Sequence, residues 1–307
     1  MKKLIRIGTR ESQLAVWQAV HVQKLLAEHG FESELVHIKS EGDIDLQTPL
    51  YEMGVQGIFT RSLDIALLND TIDIAVHSMK DVPTQLPKGI VQAAVLKRAS
   101  FKDLFMYKGN IDFLNDLNSA ATIATSSIRR KAQWLNRYPN HIIENLRGNV
   151  NTRLKKVADS NWNGAIFAAA GLERIELRPE QSIELDWMLP APAQGAITVA
   201  CKEGDDFSFG ACQKFNDADT ALSTKIERDF LRALLGGCST PISALAEIKN
   251  NELIFKGNIL SVDGKDKLAI EKRISIKDTG NLGTDAAREL LNNGGQKIAD
   301  SIRNGGK

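Results

Sequence analysis

The sequence has no long apolar segment, few cysteines and almost no net charge. No run approaches the roughly 18 consecutive apolar residues of a membrane-spanning helix, so we expect no membrane association. Lys and Arg total 39 against 38 Asp and Glu, a formal net charge of +1. Without a global positive field, no nucleic-acid partner is expected. The short apolar start is interrupted by Arg6 and Arg10, which is not typical of a signal peptide.

Disulfide, metal and nucleotide motifs are missing too. The cysteines are Cys201, Cys212 and Cys238, with no C-x-x-C pair, so a disulfide framework is excluded and a reducing, cytoplasmic location is expected. No histidine has metal-ligand spacing, which predicts no metal site. Neither a Walker loop nor G-x-G-x-x-G occurs, so the usual nucleotide cradle is absent.

The chain does have an alternating strand and helix pattern. Its 307 residues, 43% of them hydrophobic, favour two or three domains. Residues 4–7 and 34–38 are typical strands, and Ser12 is placed to cap a helix that ends at Gly30. This β-α-β unit predicts a parallel sheet covered by helices. The first domain continues with strands at 72–76 and 90–96 and a helix at 58–69.

The pattern restarts near residue 100 and predicts a second α/β domain. Its strands are expected at 122–125, 142–146 and 164–169, and its helices at 127–137 and 150–159. The proline-containing segment 187–195 predicts an extended crossing between domains, followed by a strand at 196–201. Residues 42–57 have no clear period and predict a loop over the site.

The last part of the chain predicts a small α+β domain. A helix is expected at 217–235, strands at 252–260 and 267–276, and a helix at 284–303 that breaks near Gly294. We therefore predict domain 1 at residues 1–97 and 196–215, domain 2 at 98–195, and domain 3 at 216–307.

A lysine and a carboxylate follow the strand at 72–76. Ligands of open α/β sheets bind beyond the carboxyl ends of the strands, which is where Lys80 and Asp81 fall. Lys80 is suited to hold an anionic group while Asp81 moves a proton or stabilises a cation. The alternative is that Asp81 caps a turn before Pro83, and the residues alone leave both open.

Six arginines lie in or beside small-residue turns. They are Arg10, Arg129, Arg130, Arg147, Arg153 and Arg174. A guanidinium binds carboxylate or phosphate oxygens two at a time, and both TSSIRR (125–130) and RGNVNTR (147–153) are expected to open helices, where anions are favoured. The pattern predicts a site for a multiply charged anion, either phosphate or carboxylate. Solvated surface arginines are the alternative.

Two glycines precede Cys238 and predict an exposed thiol. No histidine that could act as its base lies nearby in the sequence. The residues alone therefore do not indicate what the thiol does. Cys201 lies in an apolar strand, which is typical of an inert core thiol.

Seven ordered stretches resemble the porphobilinogen deaminase (hydroxymethylbilane synthase) family over essentially the whole chain. They are IGTRESQLAVWQ (7–18), DIAVHSMKDVPT (73–84), TSSIRRKAQ (125–133), LRGNVNTRL (146–154), AAGLERI (169–175), LPAPAQGAI (189–197) and LLGGCSTPI (234–242). The resemblance implies two α/β domains like the halves of a periplasmic binding protein and a small α+β domain with the cysteine. It also implies a monomeric, cytoplasmic transferase of tetrapyrrole and heme biosynthesis.

The resemblance implies a role for each site residue. The transferase condenses four porphobilinogen molecules head-to-tail, with release of ammonia, into hydroxymethylbilane. A dipyrromethane cofactor, bound to Cys238 through a thioether, primes the reaction, and Asp81 is the catalytic residue. The implied cofactor-binding residues are Ser78, Lys80, Asp81, Thr125, Ser126, Ser127, Arg129, Arg130, Arg147 and Gly171. The implied substrate-binding residues are Arg10, Ser12, Gln18, Phe59, Arg147, Arg153, Arg174 and Gln194.

The sequence departs from the common family pattern at several positions. Gln13 replaces a frequent proline, and Gln56 replaces a frequent loop lysine. Glycine is usual at the positions of Ala124, Asn151, Ala193 and Ser243. Asparagine tolerates a left-handed backbone, whereas Ala124 and Ala193 predict turns without positive φ.

Two other functions remain as alternatives to a transferase. A binding protein would close its two α/β domains on a dicarboxylate or phosphate, which explains the arginines but gives Cys238 no task. A thiol hydrolase would use Cys238 with His77.

Overall fold

The computed structural model describes residues 3–39, 60–234 and 240–304. Cys238, Phe59 and the predicted loop at 42–57 lie outside the described residues. The strands are β1 (Ile5–Thr9), β2 (Ser33–His37), β3 (Ile74–Ser78), β4 (Ile90–Val95), β5 (Asp103–Tyr107), β6 (Thr122–Ala124), β7 (Ile142–Glu144), β8 (Gly164–Ala168), β9 (Ser182–Glu184), β10 (Ile197–Lys202), β11 (Ile242–Lys249), β12 (Glu252–Leu260) and β13 (Lys267–Ser275). The helices are α1 (Gln13–Glu28), α2 (Arg61–Leu68), α3 (Ile128–Arg137), α4 (Val150–Asp159), α5 (Ala169–Glu173), α6 (Asp206–Gln213), α7 (Ala218–Leu234), α8 (Leu282–Leu290) and α9 (Gln296–Asn304).

Two five-stranded sheets with related strand orders form the first two-thirds of the chain. The first has the order β2-β1-β3-β10-β4, and the second has the order β7-β6-β8-β5-β9. In the first, β1 is parallel to β2 and β3, whereas β10 is antiparallel to β3 and β4. In the second, β6 is parallel to β7 and β8, and β5 is antiparallel to β8 and β9. The sheets are mixed rather than parallel as expected, because the chain enters β5 and β10 after crossing from the other sheet.

The helices that flank the site begin at side-chain caps that the sequence contains. The Ser12 hydroxyl accepts from the Ala15 N–H at 3.4 Å, and Asn149 Oδ1 accepts from the Thr152 N–H at 2.9 Å. These bonds satisfy N–H groups that have no partner inside the helix. The apolar face of α1 is buried against the first sheet, as its spacing predicts.

The third domain is a three-stranded antiparallel sheet, β11-β12-β13, packed against helices. Phe230 of α7 meets Phe255 of β12 edge to face at 5.1 Å between ring centroids, in the centre of its core. The predicted break in the last helix is confirmed between α8 and α9, where Gly294 has a φ of 110°. Glycine adopts this conformation without a Cβ clash.

The segment 187–195 corrects two expectations. It does not stay extended but closes a turn, in which Gln194 N–H donates to Ala191 at 2.9 Å and Ala196 N–H donates to Ala193 at 3.2 Å. Ala193 has a φ of 62°, so the expectation that its turn needs no positive φ is wrong. At Ala124 the expectation is confirmed, because the residue lies in β6.

Several elements were absent from the sequence prediction, namely β5, β9, β11, α5 and α6.

Within the described ranges, no helix combines the length and the apolar character that a membrane crossing needs.

Candidate active site

Lys80 and Asp81 lie in a single turn of 3-10 helix, Met79–Asp81, directly after β3. The turn is attached to the start of β10, because the Met79 N–H donates to the Ala196 carbonyl at 3.0 Å. Lys80 Nζ donates to Gln194 Oε1 at 3.3 Å. The turn thus presents a lysine and a carboxylate, both half-buried, at the carboxyl end of a buried strand.

Asp103 is the buried partner of Arg129 and Arg130, and the sequence prediction did not include it. Arg130 donates to Asp103 Oδ1 from Nε at 3.0 Å and from Nη2 at 2.7 Å, and Arg129 Nη2 lies 2.8 Å from Oδ2. Gln194 Nε2 also donates to Oδ1, at 3.0 Å. Burial alone would favour the neutral carboxyl, but Arg129 and Arg130 lower the pKa of Asp103 to about 2. Both arginines are therefore oriented by an internal carboxylate.

Positive charge is in excess around this carboxylate. Burial, and next Arg130, lower the pKa of Lys80 to about 8, although Asp81 and Asp103 act in the opposite direction. Burial, and next Arg130, lower the pKa of Arg153 to about 10. Among the described residues that act on one another here, Arg10, Lys80, Arg129, Arg130, Arg147 and Arg153 outnumber Asp81 and Asp103. An anion would relieve this repulsion.

Arg147 and Arg153, which flank the predicted turn, are electrostatic neighbours. The field of Arg147 contributes to the lowered pKa of Arg153, as does that of Arg10. The Arg153 Nε is buried without a hydrogen-bond partner, which is costly unless a ligand atom accepts from it. Arg147 is itself buried, at 4% exposure.

Arg174 lies apart from this group in its contacts. Its Nη2 donates to the Gly195 carbonyl at 2.7 Å, and its guanidinium lies 5.8 Å from the Trp17 ring centroid. Burial lowers its pKa to about 10. Gln18 follows Trp17 in α1, and its Nε2 donates to Ser78 Oγ at 2.8 Å. Ser78 is the last residue of β3.

The predicted hydroxyl residues have local structural contacts. Ser12 and Ser127 cap α1 and α3, and Thr125 Oγ1 accepts from the Ser127 N–H at 3.2 Å. Ser126 Oγ accepts from the Leu146 N–H at 3.0 Å and donates to the Leu146 carbonyl. These bonds hold the Arg129–Arg130 helix beside the strand that leads to Arg147. Gly171 lies in α5 with ordinary space for a Cβ, 3.7 Å from Leu14.

Two departures from the family pattern contact one another. Asn151 Nδ2 donates to Gln13 Oε1 at 2.9 Å, between α4 of the second sheet and α1 of the first. Asn151 is helical, so its tolerance of a left-handed backbone is not used.

His77 is buried in β3 next to Arg10. Burial, followed by Arg10, lowers the pKa of His77 to about 4, so it is a weak base and a poor partner for a thiol. No group of three or more His, Cys, Asp or Glu side chains that could hold a metal ion occurs in the part of the chain that the structure describes.

Two α/β domains contribute cations to one site beside a lysine–aspartate turn, and a third, α+β domain follows them. The family model described as "Porphobilinogen deaminase, dipyromethane cofactor binding domain" matches residues 5–208, and "Porphobilinogen deaminase, C-terminal domain" matches residues 221–292. The chain belongs to the porphobilinogen deaminase family. It is a hydroxymethylbilane synthase, a transferase of porphyrin and heme biosynthesis that polymerises porphobilinogen to hydroxymethylbilane with a dipyrromethane cofactor.

Solved structures with a similar fold include binding proteins. The methionine-binding protein MetQ is 15% identical over 71% of this chain and 92% of its own, with a TM-score of 0.44. The VFT2 domain of Bordetella pertussis BvgS is 13% identical over 69% of this chain and 85% of its own, with a TM-score of 0.40. The expected fold class of two α/β domains and a small α+β domain is confirmed.

Proposed function

We propose that Asp81 is the catalytic residue of this transferase. The proposal is supported by one observation above all: Asp81 is a carboxylate among an excess of buried and half-buried cations, on a turn held between Ala196 and the third domain. A carboxylate in this place stabilises positive charge as ammonia leaves the aminomethyl carbon of porphobilinogen. One of its oxygens then accepts the proton released when the new carbon–carbon bond forms.

The site fits a group with several carboxylates, as a dipyrromethane is. The buried Arg153 Nε without a partner and the lowered pKa of Lys80 both favour an anionic ligand here. When bound, the cofactor supplies the pyrrole α-carbon to which the first substrate is joined. We propose that Cys238 holds it through a thioether. We further propose Lys80, Arg129, Arg130 and Arg147 as partners of its acetate and propionate groups, with Ser78, Asp81, Thr125, Ser126, Ser127 and Gly171 beside them.

Substrate carboxylates require a second set of cations. We propose Arg10, Arg147, Arg153 and Arg174 for this role, with Ser12, Gln18, Phe59 and Gln194 lining the site. Arg10 and Arg153 are electrostatic neighbours of Asp81 or of its partners. Arg174, near Trp17, would bind a carboxylate of the chain as it lengthens during the reaction.

Replacement of Asp81 tests the proposal. Asp81→Asn is expected to fold, to acquire the cofactor and to lose nearly all release of ammonia, because an amide neither stabilises a cation as a carboxylate does nor accepts the proton. Asp70→Asn is the matched control, since Asp70 pairs with Lys202 at an exposed site. Ammonia release and the colour of the bound pyrroles with acidic Ehrlich reagent are measured on each purified protein. Substantial turnover by Asp81→Asn would place the proton chemistry elsewhere.

We also propose that the chain is a cytoplasmic monomer with the domain boundaries predicted above. Free thiols such as Cys201 and Cys212 persist in a reducing compartment. The pairing of β10 with β3 and β4 supports the assignment of residues 196–215 to domain 1.

A further inference from the structure

Arg228, on α7 of the third domain, holds the turn that carries Asp81. Its Nη1 donates to the carbonyl oxygens of Met79 at 3.2 Å and Val82 at 2.9 Å, and its Nη2 donates to the carbonyl oxygen of Pro83. A charged donor makes stronger hydrogen bonds than a neutral one. One guanidinium therefore joins backbone groups on both sides of Asp81.

The same turn is attached on its other side to the segment before β10. Met79 N–H donates to Ala196, and Lys80 Nζ donates to Gln194. A single helical turn satisfies few of its own carbonyl groups, so external donors decide how it is held. Arg228 supplies such donors from the third domain.

The helix that carries Arg228 is itself firmly held. The neighbouring Glu227 is fully buried and accepts from Arg98 Nη1 at 2.6 Å, from the Ala193 N–H at 2.6 Å and from the Ala246 N–H at 2.8 Å. These bonds join α7 to the crossing segment and to β11. Movement of α7 would break them, so α7 gives Arg228 a stable base.

We propose that Arg228 is a positioning residue, which places the Asp81 carboxylate relative to the third domain through the carbonyl groups of the 79–83 turn. The inference rests on the catalytic role proposed for Asp81. Misplacement of a catalytic group by about 1 Å lowers turnover by about a hundredfold. Loss of the Arg228 bonds therefore affects turnover more than the binding of substrate.

The test compares Arg228→Met with Arg232→Met as cofactor-loaded proteins. Arg232 lies one turn further along α7, with a side chain 48% exposed and a surface bond to Asp229. Arg228→Met is expected to lower kcat by about ten- to a hundredfold with KM changed less than about threefold, whereas Arg232→Met keeps both. Arg228→Lys is expected to lie between wild type and Arg228→Met, because an ammonium reaches fewer of the three carbonyl groups.

A second comparison separates positioning from a general structural effect. Asp81→Glu already displaces the carboxylate, so adding Arg228→Met to it is expected to lower kcat by less than about threefold. An equal loss in the wild-type and Asp81→Glu backgrounds would overturn the inference. So would wild-type kcat in Arg228→Met, or in Arg228→Lys if circular dichroism shows that Arg228→Met does not fold. If Asp81→Glu and Asp81→Asn both keep wild-type kcat, the proposed role of Asp81 fails instead.

Discussion

Arg130 donates two hydrogen bonds to a single oxygen of the buried Asp103 carboxylate, from Nε at 3.0 Å and from Nη2 at 2.7 Å. Its Nη1 donates to the Ile166 carbonyl at 3.1 Å. An arginine bound in this way is oriented before any ligand arrives, and so less side-chain entropy is lost when a carboxylate binds. Asp103 therefore orients the arginine side chains for a ligand carboxylate and does not take its place.

Removal of the Asp103 charge is expected to destabilise the protein and to impair cofactor loading. Asp103→Asn leaves Arg129 and Arg130 buried with too little negative charge, which costs about 3–5 kcal/mol of unfolding free energy. Asp186→Asn is the control, because Asp186 is 77% exposed and pairs with Lys102 at the surface, and it should cost less than about 1 kcal/mol. Urea unfolding measures both. Equal stability of the two variants would mean that the buried charges are compensated in another way.

Gly195 is expected to be far less replaceable than Gly204. Both have left-handed backbones, with φ of 88° and 87°, but a Cβ on Gly195 would lie 2.6 Å from the Ser100 carbonyl oxygen, whereas nothing lies within 4 Å of one on Gly204. Gly204→Ala should lower the free energy of unfolding by about 1–2 kcal/mol, because alanine is strained in this backbone conformation.

Gly195→Ala should lower the free energy of unfolding by about 1–3 kcal/mol more than Gly204→Ala does, because the backbone at Ser100 must shift. It should also lower kcat, since Gln194 and the carbonyl that binds Arg174 move with it. Thermal unfolding and initial rates provide the comparison. A Gly195→Ala protein as stable and active as Gly204→Ala would contradict the tight packing of this turn.

The lowered pKa of His77 predicts that the folded protein loses stability in acid. Its pKa is lowered from 6.5 to about 4 in the folded protein, so below pH 6.5 the unfolded chain binds a proton that the folded chain does not. Stability is therefore expected to fall as the pH drops from 6.5 towards 4, by up to about 3 kcal/mol from this group.

The comparison of His77→Gln with His29→Gln isolates this effect. His29 is exposed at the end of α1. Denaturant unfolding at pH 7 and pH 4.5 should reveal a smaller loss on acidification for His77→Gln than for wild type, and no such change for His29→Gln. The same loss in all three proteins would assign the acid sensitivity to other groups.

Local patterns were sufficient to predict α1, α3, α4 and β3, which present most of the candidate site residues. Ser12 before an apolar face specified α1, and the strand before Lys80 and Asp81 placed them at a sheet edge. The sequence did not predict β5 because its first residue, Asp103, is charged and the strand has no regular alternation. The partners that explain a buried carboxylate there lie on α3, far along the chain.

Local sequence patterns could not predict the interactions between domains either. Glu227 and Arg228 are successive residues of an amphipathic helix, where charges are ordinarily solvated. Only the fold brings Glu227 to Arg98 and Arg228 to the turn of Asp81. Alanine avoids positive φ, which predicts an ordinary backbone at Ala193, yet the bond from its N–H to Glu227 accompanies a left-handed conformation.

The central proposal is a primer bound covalently at Cys238. Intact mass spectrometry of the denatured protein, expressed in a host that makes porphobilinogen, measures it directly, with Cys238→Ser and Cys212→Ser prepared in parallel. We expect wild type and Cys212→Ser to exceed their sequence masses by one dipyrromethane, and Cys238→Ser to have its bare sequence mass. Wild type at its bare mass, or Cys238→Ser still carrying the added mass, would contradict the account.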